Sequence, residues 1–560
     1  MNANLIRQAA VMLANILDFN SPADTKLSDF FRNNRDLGTK DRAFVAESVY
    51  GVLRRLRYLS AVTANEENDP DDARKLVLAW LLRVQGKSIR ELEPVLNEQQ
   101  TEWAHTIKAK STDNLPLAVQ ADVRDWLWAK LVAQYGEAEA LTICRSMFEQ
   151  ASLDLRVNTV KANREDTHKK MLAENINNED KIEPTPHSPI GLRMPARMNI
   201  SKHVLFTAGV IEVQDEGSQL LSYLVAPKRG QMVADFCAGA GGKTLAIGAL
   251  MKNTGRLYAF DISEKRLMNL GKRLKRSGLS NMHAQLITSE NDPKLKRLNG
   301  KFDRVLVDAP CSGFGTLRRN PDLKWRFEEA DIAELNVKQT NILARAAKLV
   351  KAGGRLVYAT CSLLKDENEA IADAFLSANN EFKLVPANEV LSQQQIKIDT
   401  GKYLKLLPHL HGTDGFFAAV FERVDLSKSE SKTIVKDLES KPTEPEGNIH
   451  AVASASKLSA VKDKAEKPVK KAVKPKVEKV GEVKLSTAKP KKDETEVVEP
   501  KLIESKPEKP KAVKPKTVKL ETEKIRAVKP KVIKPIVIKT TDIVLKAVKS
   551  KTVKPKTPKE

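Results

Sequence analysis

Cysteine is scarce in this sequence: Cys144, Cys237, Cys311 and Cys361 are the four present among 560 residues. So few in so long a chain exclude a disulfide framework. None has a second cysteine or a histidine at zinc-ligand spacing, so no structural metal is expected. A run of roughly 20 apolar residues, the length a membrane span needs, is also missing. The short run "AAVMLANIL" near the start lacks a basic flank and a cleavage site, and reads as one face of an amphipathic helix. These absences predict a reduced, cytoplasmic protein with no membrane segment.

Positive charge is abundant but unevenly spread. The total is +23, yet residues 431–560 alone hold 35 Lys and Arg against 18 Asp and Glu, a surplus of 17. The remainder of the chain is close to balanced. From 426 to 560 the text is Lys- and Pro-rich, and "AVKPK" recurs at 472–476, 512–516 and 527–531. Frequent proline opposes helix and dense charge opposes a core, so a disordered basic tail is expected. Such a tail either adds salt-dependent affinity for a polyanion or is a solvated extension.

Three folded segments precede it. Residues 1–150 are helical by period, as in "NLIRQAAVMLANIL", "DRAFVAESVYGVLRRLRYLSAV", "ARKLVLAWLLRVQG" and "VRDWLWAKLVAQYG". Arg54, Arg55 and Arg57 in this segment face either phosphates or solvent. Residues 151–205 form a small α/β domain, with "LDLRVNTVK" as a strand and "REDTHKKMLAENI" as a helix before Pro184, Pro186 and Pro189. From 206 to 425 strands alternate with helices, which predicts an α/β domain with a parallel sheet covered on both faces. Its strands are "QMVADFC", "GRLYAFD", "HAQLITS", "FDRVLVD" and "GRLVYAT". The helix before the last strand is expected to run to Gly353 and Gly354.

"VADFCAGAGGKTLAIG" (233–248) is a strand, a glycine-rich turn and a helix start. A phosphate-binding P-loop requires glycine where Cys237 stands. A dinucleotide fingerprint from Gly239 requires glycine where Thr244 stands. Both fail, leaving the cofactor turn of a class I S-adenosylmethionine-dependent methyltransferase, a Rossmann-like fold. Asp261, at the end of the next strand, is placed to accept ribose hydroxyls; capping the helix that starts at "SEKRL" is a compatible role.

In that fold the first, fourth and fifth strands are neighbours, and ligands bind beyond their C-terminal ends. The fourth ends at Asp308-Ala309-Pro310-Cys311 and the fifth at Thr360-Cys361-Ser362, so the two cysteines face one pocket. Nitrogen and oxygen acceptors need no thiol. Carbon 5 of a pyrimidine does, because a thiolate added at carbon 6 makes carbon 5 nucleophilic. A second group must then assist loss of the carbon-5 proton and release of the thiol.

"DAPCSG", "RRNPDLKW", "ATCS", "CAGAGGKT" and "DGFF" resemble the RsmB/NOP/NSUN family of RNA cytosine-5 methyltransferases, and the bacterial RsmB-type ribosomal RNA enzymes in particular. "LGTKDRAFVAESVYGVLRRLRYL" resembles the NusB-like RNA-binding domain of that branch. The resemblance implies Cys361 as nucleophile, Cys311 as the thiol that assists product release, and Asp308 as the contact to the base. It implies that Cys237, Ala238, Gly239, Ala240, Gly241, Gly242 and Lys243, with Asp261, Arg266, Ser289 and Asp308, hold S-adenosylmethionine. Two positions depart from the family pattern. Gly239-Ala240 replaces the usual Ala-Pro, and Ser289 stands where the third strand usually ends in an acid, with Glu290 and Asp292 nearby. Arg318, Arg319, Asn320, Asp322, Lys324 and Trp325 suit a splayed single-stranded nucleotide, or alternatively pack internally. RNA is the expected partner of a monomer. Transfer RNA as substrate, and a non-catalytic ribosome assembly factor, are the alternative readings.

Overall fold

The computed structural model describes residues 2–63, 72–174, 181–194 and 200–425. The expected basic tail from 426 onward lies outside them.

The described residues among the first 150 are mostly helical, as their period predicts. Helices Ala3–Ile16, Thr39–Arg54 and Asp72–Arg83 bury Ile6, Leu13, Val45, Val49 and Leu78 against one another. The expected single helix over 41–62 is two, Thr39–Arg54 and Leu56–Thr63. Asp122 explains the break. Its buried carboxylate accepts the backbone N–H of Arg57 (3.0 Å) and Tyr58 (3.3 Å), so it caps the second helix. Arg55, at the break, donates to the same carboxylate at 3.2 Å and is sandwiched between the Tyr58 and Phe148 rings. Arg57 donates to Val123 and Asp125, so neither arginine presents a free guanidinium to solvent.

A four-stranded antiparallel sheet follows, built from β1 (Leu153–Val157), β2 (Glu183–Pro184), β3 (Gly191–Met194) and β4 (Ile211–Val213) in the order β2-β3-β1-β4. The helix Arg164–Glu174 packs beside it, with Met171 in the small core. The strand and helix expected in 151–205 are both present. The sheet also takes its last strand from 211–213, so the small domain extends past the 205 boundary read from the sequence.

The remaining strands are β5 (Met232–Asp235), β6 (Arg256–Asp261), β7 (Met282–Leu286), β8 (Phe302–Asp308), β9 (Val350–Thr360), β10 (Phe382–Val385), β11 (Leu404–Leu406) and β12 (Phe416–Arg423). They form one sheet in the order β10-β12-β9-β8-β5-β6-β7, with β11 also on β12. The five strands β7-β6-β5-β8-β9 are parallel; β12 runs antiparallel to β9, β10 and β11. Val305, Leu306, Val307, Leu356, Val357 and Tyr358 are fully buried, as expected where helices cover both faces. The chain order reverses between β5 and β8, which opens a crevice above their carboxyl ends.

One boundary differs from expectation. The helix before β9 spans Glu329–Ala347 and stops well before Gly353-Gly354. Leu349 and Val350 are fully buried, and Val350 already pairs with Phe302. Gly353, at φ +70°, serves a backbone irregularity inside the strand instead.

Among the described residues no helix is long and apolar enough to cross a membrane, and no cluster of His, Cys, Asp and Glu suits a metal ion.

Candidate active site

The crevice between β5 and β8 holds a cavity of about 680 Å³. Its walls are the ends of β5, β6, β8 and β9, so residues far apart in sequence meet there.

The glycine turn forms one wall. Gly239 and Gly241 have φ of +56° and +84°, a region that glycine enters without cost. A Cβ on Gly239 would meet nothing within 4 Å, so this glycine leaves an open cradle. Cys237, Ala238, Gly239, Ala240, Gly242 and Lys243 all line the cavity. Gly241, also expected there, does not. A Cβ on it would lie 2.7 Å from the Leu270 side chain, so its role is close packing of the turn on helix Glu264–Ser277.

Asp261 is 5% exposed, and its carboxylate is oriented by two backbone groups. Oδ2 accepts Gly239 N–H and Oδ1 accepts Ser263 N–H, each at 2.7 Å. The turn and the acid are thus one unit, and each oxygen keeps a lone pair for a further donor. Capping of the following helix falls to Ser263, whose side chain accepts Arg266 N–H. Arg266 and Ser289 both line the cavity, with Glu290 next to Ser289. Asp292 is turned away: it accepts from Thr288 and Lys294 N–H and caps a short helix. Glu290 is therefore the acid of this segment that lines the cavity.

Asp235, at the end of β5, was not anticipated. It is fully buried in the cavity floor, and Oδ2 accepts the Thr244 hydroxyl at 2.7 Å while Oδ1 has no partner. Burial pushes its carboxyl up to about 7. An unsatisfied buried oxygen, an open glycine cradle and an acid with free lone pairs fit a polar nucleoside-like ligand carrying donors at both ends.

Lys243 projects from the turn toward the end of β8. Its ammonium lies 2.7 Å from Asp308 Oδ2 and 5.6 Å from the Phe416 ring. Burial opposes its charge, but Asp308 beside it more than offsets this and holds the ammonium protonated.

Cys311 and Cys361 follow β8 and β9, and their sulfurs are 3.4 Å apart. Hydrogen bonding to Cys361, together with burial, raises the Cys311 thiol well above the ordinary range, so Cys311 stays a thiol. Burial likewise keeps Cys237 a thiol. Only the thiolate is a strong nucleophile, so Cys237 and Cys311, both held as thiols, are disfavoured for attack.

The segment 318–326 corrects the nucleotide-stacking expectation. Trp325 is 7% exposed, belongs to the core of the helical domain, and donates Nε1–H to Leu53 O at 2.9 Å. Lys324 is buried and donates to Arg54 O; Asp322 accepts Ala23 N–H. Arg319 pairs with Asp414 (2.6 Å) and Asp215 (3.1 Å), and Arg318 with Asp414. This stretch bolts the catalytic domain to the helical domain. Its charges are spent on internal partners. Arg156 of β1 ties in the small domain, donating to Gln214 and, at 2.7 Å, to Gly242 O of the glycine turn. A buried arginine inside a short strand carries no sequence signal that separates it from a surface one.

The sheet order, the turn and the acid after the second parallel strand define a class I methyltransferase. Comparison with known proteins narrows this. Residues 222–422 match the family described as 16S rRNA methyltransferase RsmB/F, and residues 124–201 match the RsmF/B-like ferredoxin-like domain. The chain is 32% identical over 415 residues to a probable ribosomal RNA small subunit methyltransferase B of Synechocystis, covering 68% of this chain and 91% of that protein. It is 30% identical over 331 residues to a human 28S rRNA (cytosine(4447)-C(5))-methyltransferase, covering 57% of this chain and 40% of the human one. The crystal structure of PH0851 superposes with TM-score 0.61 at 26% identity, over 76% of this chain and 99% of that one. The chain belongs to the RsmB/F family and is an RNA methyltransferase. The ferredoxin-like match begins at 124, inside the segment read from sequence as purely helical.

Proposed function

We propose that this protein methylates carbon 5 of a cytosine in ribosomal RNA, through a covalent bond between Cys361 and carbon 6 of the base. The observation that carries the reading is the pair of sulfurs in contact at adjacent strand ends, inside the cavity that also holds the glycine turn and Asp261. The names of the relatives support ribosomal RNA as the substrate class.

S-adenosylmethionine supplies the methyl group as a sulfonium electrophile when bound. Asp261, Gly239 and neighbouring turn residues, with Arg266, Ser289 and Glu290, are the groups that hold it. Cys361 as thiolate adds to carbon 6, and electron density moves to carbon 5, which takes the methyl group. Asp308 accepts from the exocyclic amine, with Lys243 fixing its orientation; a carboxylate has about four acceptor positions, and Lys243 uses one. A water molecule takes the carbon-5 proton, the C–H electron pair restores the carbon 5–carbon 6 double bond, and the Cys361 sulfur leaves with the electron pair of the carbon 6–sulfur bond. Cys311, in contact with that sulfur and protonated, stabilises the departing thiolate. The base leaves its stack to reach this depth. The helical segment acts as a NusB-like RNA-binding domain, and the protein works as a cytoplasmic monomer.

Bisulfite sequencing of total RNA from a strain lacking the gene tests the reading. The expected result is loss of 5-methylcytosine at a ribosomal position, restored by the wild-type gene. Loss confined to transfer RNA, or no loss anywhere, contradicts it.

A further inference from the structure

A fully buried carboxylate, Glu367, lies directly behind the two cysteines and has no role in the reaction as described. Its Oε1 accepts Ser312 N–H at 2.9 Å and Gln339 Nε2–H at 3.0 Å. Its Oε2 accepts the hydroxyls of Ser312, at 2.5 Å, and of Ser362. Ser312 follows Cys311 and Ser362 follows Cys361, and their hydroxyls are themselves 3.1 Å apart. Gln339 also donates to Pro310 O, the residue before Cys311. The adjacent Asn368 holds the other loop, accepting from Thr360 and donating to Ser362 O. One carboxylate therefore grips the residue after each cysteine.

We infer that Glu367 is a positioning residue that sets the contact between the Cys311 and Cys361 sulfurs. Four donors converge on it and no cation is among them, an arrangement that matches an acceptor-only carboxylate. Hydrogen bonds to a charged acceptor are about twice as strong as neutral ones, so the clasp is stiff. Its charge has a second effect: Glu367 is among the groups that raise the Cys311 thiol. It thereby helps to keep the release proton on Cys311. A thiol pair left to two independent loops would lose both the contact and the division of labour. The serines alone read as loop polarity, and Glu367 sits in "LLKDENEA", which reads as surface charge.

The inference rests on the two-thiol reading above, and the test separates their failures. Glu367→Gln is compared with wild type and with Cys361→Ala by single-turnover methyl transfer, by calorimetric binding of S-adenosylmethionine, and by bridging of the two thiols with dibromobimane, which fluoresces when it links neighbouring sulfurs. The expected result for Glu367→Gln is transfer slowed at least 100-fold, bridging slowed at least 10-fold, and cofactor affinity within about 3-fold of wild type. The pH dependence of transfer should also move to lower pH, because Cys311 loses a negative neighbour. Glu367→Asp, one methylene shorter, should recover only part of the rate. Where Glu367→Gln does not fold, the double variant Ser312→Ala, Ser362→Ala takes its place with the same expected pattern. Unchanged transfer, bridging and pH profile in the folded variant overturn the inference. Equal loss of cofactor binding and transfer also overturns it, because that marks a general structural role. Wild-type activity in Cys361→Ala instead overturns the two-thiol reading itself.

Discussion

Gly239 donates its backbone N–H to Asp261 Oδ2 across 2.7 Å, locking the glycine turn to the acid that ends the neighbouring strand. The bond fixes the carboxylate before any ligand arrives, so little orientational freedom is lost on binding.

Asp261→Asn should therefore weaken S-adenosylmethionine binding. The amide removes the charge and sets an NH2 group against one of two backbone donors. At about 1.5–3 kcal/mol for a hydrogen bond to a charged group, affinity should fall roughly 10- to 150-fold. Titration calorimetry checks this, with Cys361→Ala as the control that should bind normally.

Trp325 supplies a stability prediction. Its ring fills the helical core and its Nε1–H is bonded to Leu53 O. Trp325→Ala should cost about 3–5 kcal/mol, visible as a lowered denaturation midpoint. Trp325→Phe should retain most of the packing and lose little more than one hydrogen bond, about 1 kcal/mol. Were Trp325 a stacking platform for RNA, alanine would instead weaken RNA binding and leave the midpoint unchanged.

Asp235 predicts a pH dependence. Its carboxyl is raised from 3.8 to about 7 by burial, so the folded state holds a proton that the unfolded chain releases. That contribution is fully present below pH 3.8, and is lost as pH rises through about 7. At 1.36 kcal/mol per pH unit it amounts to roughly 4 kcal/mol. Asp215, N-cap of the helix Glu216–Val225, is likewise raised to about 7, by burial and by Asp414. Denaturant titrations between pH 4 and 8 should show stability falling with pH, and Asp235→Asn should flatten part of that fall.

Much of the site was readable because strand ends are readable. Short β-branched runs ending in Asp261, Asp308-Pro310-Cys311 and Thr360-Cys361 need only the known sheet order to bring those residues together. What stayed hidden or open were charges that fold inward. Arg318, Arg319, Asp322 and Lys324 form a hydrophilic stretch that the sequence leaves open between a nucleotide contact and internal packing. Their partners, Asp414, Asp215, Ala23 and Arg54, are distant in sequence. Glu367 and Arg156 were missed for the same reason. The break at Arg55 was hidden because its cause, Asp122, lies 67 residues away. Gly353-Gly354 looked like a helix stop, but burial of Leu349 and Val350 begins the strand earlier.

The division of labour between Cys311 and Cys361 is the central claim, and adduct trapping tests it most directly. Each single alanine variant is incubated with the cofactor and undermethylated ribosomal RNA, then run on a denaturing gel. Cys311→Ala should accumulate a slow-migrating protein–RNA species that persists in denaturant, because attack and methylation proceed but release is slowed. Cys361→Ala should form no such species and transfer no methyl group. An adduct in Cys361→Ala that is absent from Cys311→Ala would reverse the two roles and contradict the account.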